Sequence, residues 1–271
     1  MQENNKIPKV IHFCWFGKGE YSEKVSKCIE SWKRMLPDYK IKMWSEDNFD
    51  IEVCSYVQEA YENKKYAFVS DYARLYALYS EGGIYLDTDV EVLKSWDSFL
   101  DNKAFAFFAK DPHSLCTFVL GAQKGHPWMK EIMKYYEGRN FVKKDGSFDM
   151  TPNVCIGEVA SNLYHFEPNG AEQMLGTELR VYPYEFVGGH DFSTGKVAIT
   201  SNTHCVHWNE ASWWTEEKRK EWKKIQKLKK LFGEKLGEVI YRGLKRLKRG
   251  IWVLKDEGIG SLLKKIKNIK R

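Results

Sequence analysis

One helix-to-strand unit, residues 67 to 93, constrains the fold of this chain more than any other feature of its sequence. Apolar residues recur at three- and four-residue intervals in its first half, which predicts an amphipathic helix. These residues are Phe68, Tyr72, Leu75, Tyr76 and Tyr79. Gly82 and Gly83 end the helix, and a strand begins over Ile84 to Leu86. The strand runs directly into Asp87, Thr88 and Asp89. In open α/β sheets, ligands bind beyond the carboxyl ends of strands, so this acidic pair lies where chemistry is expected.

Two strand-helix units precede this one and give the chain the order βαβα. Val10 to Trp15 is a short apolar and aromatic run, typical of a buried strand. An amphipathic helix follows, with Ser22 as its predicted cap and Pro37 as its stop. Ile41 to Trp44 predicts a second strand, and Asp50 to Asn63 a second, more polar helix. The order predicts an α/β fold with an open sheet.

The middle of the chain carries weaker signals. Ala104 to Ala109 and Thr117 to Ala122 predict further strands, and Pro127 to Tyr136 predicts a helix. Thr203 to Trp208 predicts a late strand that leads into a Trp-rich loop. We predict a catalytic domain over residues 1–215 and a separate tail over residues 216–271.

Charge separates the tail from the rest of the chain. Residues 216–271 hold 20 Lys and Arg against 7 Asp and Glu, whereas the whole chain of 271 residues has a net charge of only +6. Apolar residues recur at helical spacing through the tail, and several glycines, including Gly233, Gly237, Gly243 and Gly250, interrupt the pattern. Several short amphipathic helices are expected, able to lie on an anionic membrane surface. The alternative is that they pack on the catalytic domain or on another subunit. No nucleic-acid-binding module accompanies the charge.

The lack of targeting signals and the spacing of the cysteines argue against a secreted, membrane-spanning or disulfide-linked protein. The first residues lack the basic and apolar regions of a secretory signal, and no apolar run approaches the roughly 20 residues that cross a bilayer. The six cysteines are spread singly, which favours reduced thiols in a core. We therefore expect a cytoplasmic protein, with the tail allowing peripheral association with the inner face of the cell membrane.

Asp87 and Asp89 form a DxD motif whose chemistry depends on its context. Residues i and i+2 of an extended chain point to the same side, so both carboxylates would face one space and repel each other unless a cation joins them. Hard oxygen ligands favour Mg²⁺ or Mn²⁺. The alternative is a solvated turn.

Asp71 and Arg74 stand three residues apart on the preceding helix and share a face. They form either a surface ion pair or a polar clamp, in which the carboxylate accepts sugar hydroxyls and the guanidinium binds phosphate.

Three sequence blocks carry a resemblance to a known family: IPKVIHFCWFG at 7–17, SDYARLYALYSEGGIYLDTDVEVL at 70–93 and VHWNEASW at 206–213. Together they resemble the DXD-containing sugar transferases of glycosyltransferase family 32. Bacterial capsular-polysaccharide and lipopolysaccharide transferases belong to that family, and the clostridial glucosylating toxins are distant relatives. The resemblance implies a GT-A-type open mixed sheet flanked by helices, a nucleotide-sugar donor and a divalent metal, Mn²⁺ or Mg²⁺. It also implies transfer with retention of anomeric configuration.

The resemblance also assigns roles to single residues. Trp15 matches the position that stacks on the nucleotide base, with a core-closing Trp as the alternative. Asp71 and Arg74 match donor-sugar contacts, Asp87 and Asp89 match the metal and ribose motif, and Tyr85 is either a packing residue or a donor contact. With these roles, Asp71, Arg74, Asp87 and Asp89 are the predicted catalytic residues.

The late block adds a third predicted metal ligand, His207, for which a structural histidine is the alternative. Asn209, Ser212, Trp213 and Trp214 are assigned to a flap over the donor. His12 and His204 are expected to be structural.

The function implied is transfer of a hexose or N-acetylhexosamine from a nucleotide-sugar donor, expected to be UDP-linked, to a saccharide or lipid-linked saccharide in cell-surface polysaccharide synthesis. The leaving nucleoside diphosphate gains negative charge, which a metal and Arg74 would neutralise. No residue identifies itself as a nucleophile, which favours same-face attack by the acceptor. Two rival functions remain open: a toxin-like protein glucosyltransferase, and a noncatalytic protein that binds nucleotide sugars or membrane surfaces.

Overall fold

The computed structural model describes residues 6–149, 155–189, 197–209 and 216–256. These residues fall into two compact units, one of residues 6–189 and 197–209 and the other of residues 216–256. The strands, in chain order, are β1 (Val10–Cys14), β2 (Lys40–Trp44), β3 (Gly83–Leu86), β4 (Val90–Val92), β5 (Ala104–Phe107), β6 (Val119–Ala122), β7 (Gln173–Leu175), β8 (Leu179–Tyr182), β9 (Val187–Gly189) and β10 (Cys205–His207). The α-helices are α1 (Glu23–Met35), α2 (Ser55–Glu62), α3 (Tyr66–Glu81), α4 (Pro127–Lys134), α5 (Cys155–Tyr164), α6 (Glu216–Phe232) and α7 (Glu234–Asp256).

The first unit contains two sheets. A seven-stranded sheet has the order β2-β1-β3-β6-β5-β8-β7, in which β1 is parallel to β2 and β3 while β6 is antiparallel to β3 and β5. A three-stranded sheet has the order β4-β10-β9. The predicted α/β class, with an open mixed sheet flanked by helices, is confirmed.

Alternating side chains of the large sheet enter two separate cores. On β3, Tyr85 joins the core formed with α2, α3 and α4, whereas Ile84 and Leu86 join the core formed with α1 and the small sheet. This alternation is the period-2 pattern of a sheet covered on both faces. It fixes the register of β3 and therefore the place where the acidic motif leaves the sheet.

The helix boundaries follow the predicted signals with small shifts. The side chain of Ser22 accepts a hydrogen bond from the amide of Val25, so Ser22 caps α1 as predicted. The second helix starts at Ser55 rather than at Asp50, because residues 45 to 53 instead form turns whose amides bond back to Ser45 and Asp50.

Gly82 and Gly83 form the junction between α3 and β3 that the sequence predicted. Both have positive φ angles, +70° and +125°. A Cβ on Gly83 would lie 2.6 Å from the carbonyl oxygen of Val10 and 2.9 Å from Nε2 of His12. Glycine is therefore required here both for its backbone conformation and for the close approach of β1.

His12 is structural, as predicted, and fully buried. Its Nδ1 accepts a hydrogen bond from the indole N–H of Trp44 (3.0 Å), and its Nε2 lies 2.8 Å from the carbonyl oxygen of Gly82. An indole N–H can only donate, so Nδ1 is the acceptor and the proton is on Nε2. Burial lowers the pKa of His12.

Acidification below about pH 6.5, the ordinary pKa of histidine, is expected to destabilise the protein. In the unfolded chain this histidine binds a proton near pH 6.5, whereas in the folded protein it stays neutral to a lower pH. The contribution of His12 to the free energy of unfolding is therefore fully present above about pH 6.5 and is lost as the pH falls through the folded-state pKa. Burial also lowers the pKa values of His126 and His204. Each such histidine lowers the free energy of unfolding by at most about 1.4 kcal/mol for every unit by which the pH falls.

Urea unfolding at pH 7.5 and pH 5.5 measures this slope. The His12→Gln variant serves as the control and should have a lower free energy of unfolding at pH 7.5 but a shallower pH dependence. Equal slopes for both proteins would show that His12 does not contribute.

Cys14, Cys28, Cys54, Cys116 and Cys205 form no disulfide, and all of them except the partly exposed Cys54 are buried, in agreement with the prediction of reduced core thiols. His204 is also structural, since its Nδ1 lies 2.8 Å from the carbonyl oxygen of Ser95 and its ring contacts Trp96 and Phe99.

Within the described ranges, no helix combines the length and apolar character needed to span a bilayer.

The second unit is a pair of helices, α6 and α7, joined at Gly233, which has a φ of +81°. The predicted interruption at Gly233 is therefore present. The interruptions predicted at Gly237, Gly243 and Gly250 are wrong, because α7 runs through all three. Gly237 instead allows α7 to pack closely on α6, since a Cβ at this position would collide with the backbone of Lys229.

Candidate active site

The acidic motif forms a turn between the two sheets. β3 ends at Leu86 and β4 begins at Val90, whose amide donates to the carbonyl of Asp87 (3.0 Å). The extended conformation predicted for residues 87–89 is therefore wrong, because the chain must leave the large sheet and enter the small one within three residues. The carboxylates nevertheless converge.

Asp87, Asp89 and His207 meet at this turn. Each offers one ligand atom, and the three atoms lie within 4.8 Å of one another. His207 Nε2 is 3.2 Å from Asp89 Oδ1, and all three side chains are partly exposed. Two carboxylate oxygens and one imidazole nitrogen at this spacing fit a divalent cation, which would also relieve the repulsion between the carboxylates. Their role as metal ligands remains a prediction.

His207 reaches the turn through the pairing of β10 with β4. The antiparallel register places His207 opposite Val90, and the amide of Trp208 donates to the carbonyl of Asp89 (3.0 Å). The indole of Trp208 donates to Glu91 Oε2 (3.0 Å). A residue from late in the chain is thus fixed beside the acidic turn by a short strand.

Arg74 connects the helix α3 to the acidic turn. Its Nη2 lies 2.8 Å from Asp71 Oδ1 and 3.3 Å from Asp87 Oδ1, and its Nη1 donates to the carbonyl of Thr117 (2.6 Å). Asp71 and Arg74 are each only 4% exposed. The alternative of a surface ion pair is therefore excluded, and Arg74 holds two predicted site carboxylates in place while adding positive charge.

Burial and charge set the protonation states in this cluster. Burial lowers the pKa of Arg74, but the negative charges of Asp87 and Asp71 outweigh it and raise that pKa overall. Arg74 is therefore a permanent cation. Burial raises the pKa of Cys14 to about 12, so this thiol is protonated and unreactive at neutral pH.

Tyr85 packs beneath the guanidinium of Arg74, whose Cζ lies 4.7 Å from the ring centroid. The hydroxyl of Tyr85 donates to Asp87 Oδ1 (2.7 Å), and burial is the main cause that raises its pKa well above the usual value. Tyr85 is 2% exposed. Tyr85 therefore packs in the core and orients Asp87; a contact with the donor stays a prediction.

Trp15 lies directly after β1, the parallel neighbour of β3, so it shares the sheet edge with the acidic turn. It is half-buried; its indole donates to the carbonyl of Gly19 (2.7 Å) and packs edge-on against Tyr21. Gly17 shapes this loop, because a Cβ there would collide with the ring of Tyr66. Stacking on a nucleotide base remains a prediction for Trp15.

Asn209 follows the late strand with a φ of +53°, and its side-chain Nδ2 donates to the backbone carbonyl of His207 (3.3 Å). Ser212, Trp213 and Trp214, the other residues assigned to a donor-site flap, lie outside the described residues.

Sequence reasoning missed Thr117 and Phe118, which contact the site. The Phe118 carbonyl accepts from the Asp87 amide (2.9 Å), and its ring stacks on His207. The sequence carries no signal for these roles, because two of the contacts use backbone carbonyls.

Residues 22–106 match the family described as a glycosyltransferase sugar-binding region containing the DXD motif. The matched region includes Asp71, Arg74, Asp87 and Asp89.

Curated relatives are similar over about half of the chain. Inositol phosphoceramide mannosyltransferase 3 of Schizosaccharomyces pombe is 29% identical over 132 residues, which are 47% of this chain and 36% of that protein. Inositol phosphoceramide mannosyltransferase 1 of the same organism is 28% identical over 48% of this chain and 43% of its own length. The uncharacterized glycosyltransferase L373 of Acanthamoeba polyphaga mimivirus is 30% identical over 47% of this chain and 55% of its own length. The chain thus spans about half, or less, of the length of these relatives.

Among solved structures, the PaToxG glycosyltransferase has a TM-score of 0.44 and 21% identity over 58% of this chain and 70% of its own. The galactosyltransferase LgtC has a TM-score of 0.43 and 13% identity over 78% of this chain and 91% of its own.

Proposed function

From the premise that this chain is a glycosyltransferase of the family 32 type, with a DXD-containing sugar-binding region, we propose that it transfers a hexose or N-acetylhexosamine from a nucleotide sugar. The proposed donor is UDP-linked and the acceptor is a saccharide or lipid-linked saccharide of cell-surface polysaccharide synthesis. The observation that carries the proposal is the convergence of Asp87, Asp89 and His207 beside the buried Asp71–Arg74 pair.

A divalent cation, Mn²⁺ or Mg²⁺, fits the ligand set of Asp87, Asp89 and His207. When bound, such an ion supplies positive charge to the diphosphate of the donor. Arg74 already holds the Asp87 carboxylate at 3.3 Å, so this carboxylate is oriented before any ion or substrate arrives. A site prepared in this way loses less free energy to reorganisation during the reaction.

The other predicted donor contacts have separate tasks in this proposal. Trp15, at the same sheet edge, stacks on the nucleotide base, and Asp71 accepts hydrogen bonds from the sugar hydroxyls. Arg74 contributes a permanent positive charge where the leaving diphosphate gains negative charge. The acceptor hydroxyl attacks from the face that the leaving group vacates, which retains the anomeric configuration.

The curated relatives favour a lipid-linked acceptor within this proposal, since two of them are named as mannosyltransferases of inositol phosphoceramide. Mannose is a hexose, so GDP-mannose belongs among the donors to be tested. A toxin-like transferase that modifies protein differs only in its acceptor, and a noncatalytic binder would bind the donor without breaking it.

A screen of nucleotide sugars tests the proposed function. The full chain is incubated with Mn²⁺ and UDP-glucose, UDP-galactose, their N-acetylhexosamine counterparts or GDP-mannose, and release of the nucleoside diphosphate is measured. We expect hydrolysis of one donor, its loss on addition of EDTA and its return with excess Mn²⁺. Saccharide and protein acceptors are then compared with that donor.

The outcomes separate the alternatives. Hydrolysis that is insensitive to EDTA would exclude the metal, and donor binding without hydrolysis or transfer would favour the noncatalytic binder. Transfer to protein rather than saccharide would favour the toxin-like function.

The helical pair α6 and α7 is the proposed membrane contact, with the protein cytoplasmic and peripheral on the inner face of the cell membrane. Large apolar side chains on α7 share one side of the helix and are mostly exposed: Leu236 (54%), Val239 (65%), Leu244 (48%) and Leu247 (64%). Arg242 and Arg246 lie on the same helix, and the tail as a whole is strongly basic. Such a surface fits the headgroup layer of an anionic bilayer.

Sedimentation with vesicles tests this contact. The full chain is expected to bind vesicles that contain phosphatidylserine but not vesicles of phosphatidylcholine alone, and added salt should weaken the binding. A triple variant, Leu236→Ser, Val239→Ser and Leu247→Ser, should lose most of it. Met174→Ser, at a residue 50% exposed on the first unit, is the matched control. Binding that is the same for the triple variant and the wild type would exclude this helix face.

A further inference from the structure

The segment Thr117–Phe118, directly before β6, contacts site residues from three different elements. The Thr117 carbonyl accepts from Arg74 on α3 (2.6 Å), and the Phe118 carbonyl accepts from the amide of Asp87 (2.9 Å). The ring of Phe118 stacks on His207 of β10, with centroids 4.1 Å apart and an interplanar angle of 29°. The dipeptide Thr117–Phe118 therefore contacts the guanidinium of Arg74, the backbone of Asp87 and the imidazole of His207.

The stack bears most directly on the orientation of His207. In metal sites, the ring nitrogen that does not bind the metal usually donates a hydrogen bond that fixes the plane of the imidazole. Within the described part of the chain, no hydrogen bond to Nδ1 of His207 is present, whereas Nε2 faces Asp89 Oδ1 at 3.2 Å. A flat contact with the Phe118 ring restricts rotation of the imidazole about its Cβ–Cγ bond, and Phe118 is itself held, being only 9% exposed.

We propose that Phe118 is a positioning residue: its ring holds the imidazole of His207 in the plane that directs Nε2 toward Asp89 and the candidate cation. This inference rests on the proposed metal site and goes beyond it, because Phe118 neither ligates a metal nor contacts a reacting atom. It replaces the hydrogen-bonded support that such a histidine usually has with an aromatic one.

A double-mutant cycle tests the proposal in the full chain. Mn²⁺ affinity is measured by electron paramagnetic resonance for the wild type, Phe118→Leu, His207→Ala and the double variant. Loss of a residue that orients a ligand typically weakens metal binding about 10–100-fold, and we expect Phe118→Leu to weaken it by about 10-fold. In the His207→Ala background, the same substitution should have little further effect. Phe118→Tyr, which keeps the aromatic face, should retain the affinity of the wild type.

Phe105→Leu is the matched control, since it removes a buried aromatic ring from the neighbouring strand β5, and that ring contacts Trp96, Phe99 and Phe107 rather than the three candidate ligands in the described structure. Equal losses for Phe118→Leu with and without His207, or an equal loss for Phe105→Leu, would overturn the proposal by showing a general loss of packing. Unchanged affinity in Phe118→Leu would also overturn it.

A second readout needs no metal and keeps the proposal separate from the proposed function. The ring protons of His207 lie over the Phe118 ring, so their NMR resonances carry its ring-current shift in the metal-free protein. Loss of that shift in Phe118→Leu, and its retention in Phe118→Tyr, would establish the stacked contact on which the proposal depends, even if the wild type binds no Mn²⁺. An unchanged shift in Phe118→Leu overturns it.

Discussion

The Asp89→Asn variant is expected to hydrolyse the nucleotide-sugar donor about 10²–10³-fold more slowly than the wild type, because groups that stabilise charge developing in a transition state contribute on this scale. Asn has nearly the same shape as Asp, so the turn at residues 87–89 should be preserved. The substitution removes one negative charge from the ligand set and the carboxylate that lies 3.2 Å from Nε2 of His207. Initial rates of diphosphate release at saturating Mn²⁺ measure the effect.

A surface carboxylate provides the control for Asp89. Asp101→Asn changes the charge by the same amount at a side chain that is 71% exposed and paired only with Lys6 at the surface in the described structure. Its rate should equal that of the wild type. If Asp89→Asn also hydrolysed the donor at the rate of the wild type, the acidic turn would have no part in catalysis.

Replacing Arg74 by Met is expected to lower the free energy of unfolding by about 3–5 kcal/mol, the usual cost of removing one partner from a buried ion pair. Asp71 is 4% exposed and would lose the guanidinium 2.8 Å from its Oδ1, while the carbonyl of Thr117 would lose its donor. Met fills much of the same volume, so loss of charge and hydrogen bonds dominates. Urea unfolding at pH 7.5 measures the change.

The double variant Asp71→Asn with Arg74→Met isolates the charge. It removes the buried carboxylate together with its partner, so its free energy of unfolding should lie above that of Arg74→Met alone. Lys27→Met, which breaks the exposed pair with Glu23, should leave the unfolding midpoint unchanged. A loss of stability no larger for Arg74→Met than for Lys27→Met would mean that the buried pair contributes nothing.

The parts of the fold that were predicted correctly depend on local patterns. The periodicity of α3, the glycine pair at 82 and 83 and the apolar run of β3 are visible in a window of about twenty residues. The same windows placed Asp71 and Arg74 on one helix face and the acidic motif at a strand end. His207 was assigned only through the resemblance to family 32, and the structure brings it to the acidic turn.

The parts that could not be predicted depend on contacts between distant segments. The three-stranded sheet pairs residues near 206 with residues near 91 on one side and near 188 on the other, and no local pattern in β4 or β9, each three residues long, indicates a partner. The turn at 87–89 follows from that pairing, because it redirects the chain from one sheet to the other. The contacts of Thr117 and Phe118 use backbone carbonyls and one ring face, none of which a sequence motif records.

The late position of the short strand β10 limits where the chain can be truncated. A fragment that stops before residue 205 retains every strand of the seven-stranded sheet and the whole DXD region, yet it has neither the middle strand of the small sheet nor the imidazole beside Asp89. Such a fragment would be a poor guide to activity, and a nascent chain would complete the acidic turn only after nearly all of the first unit had been synthesised.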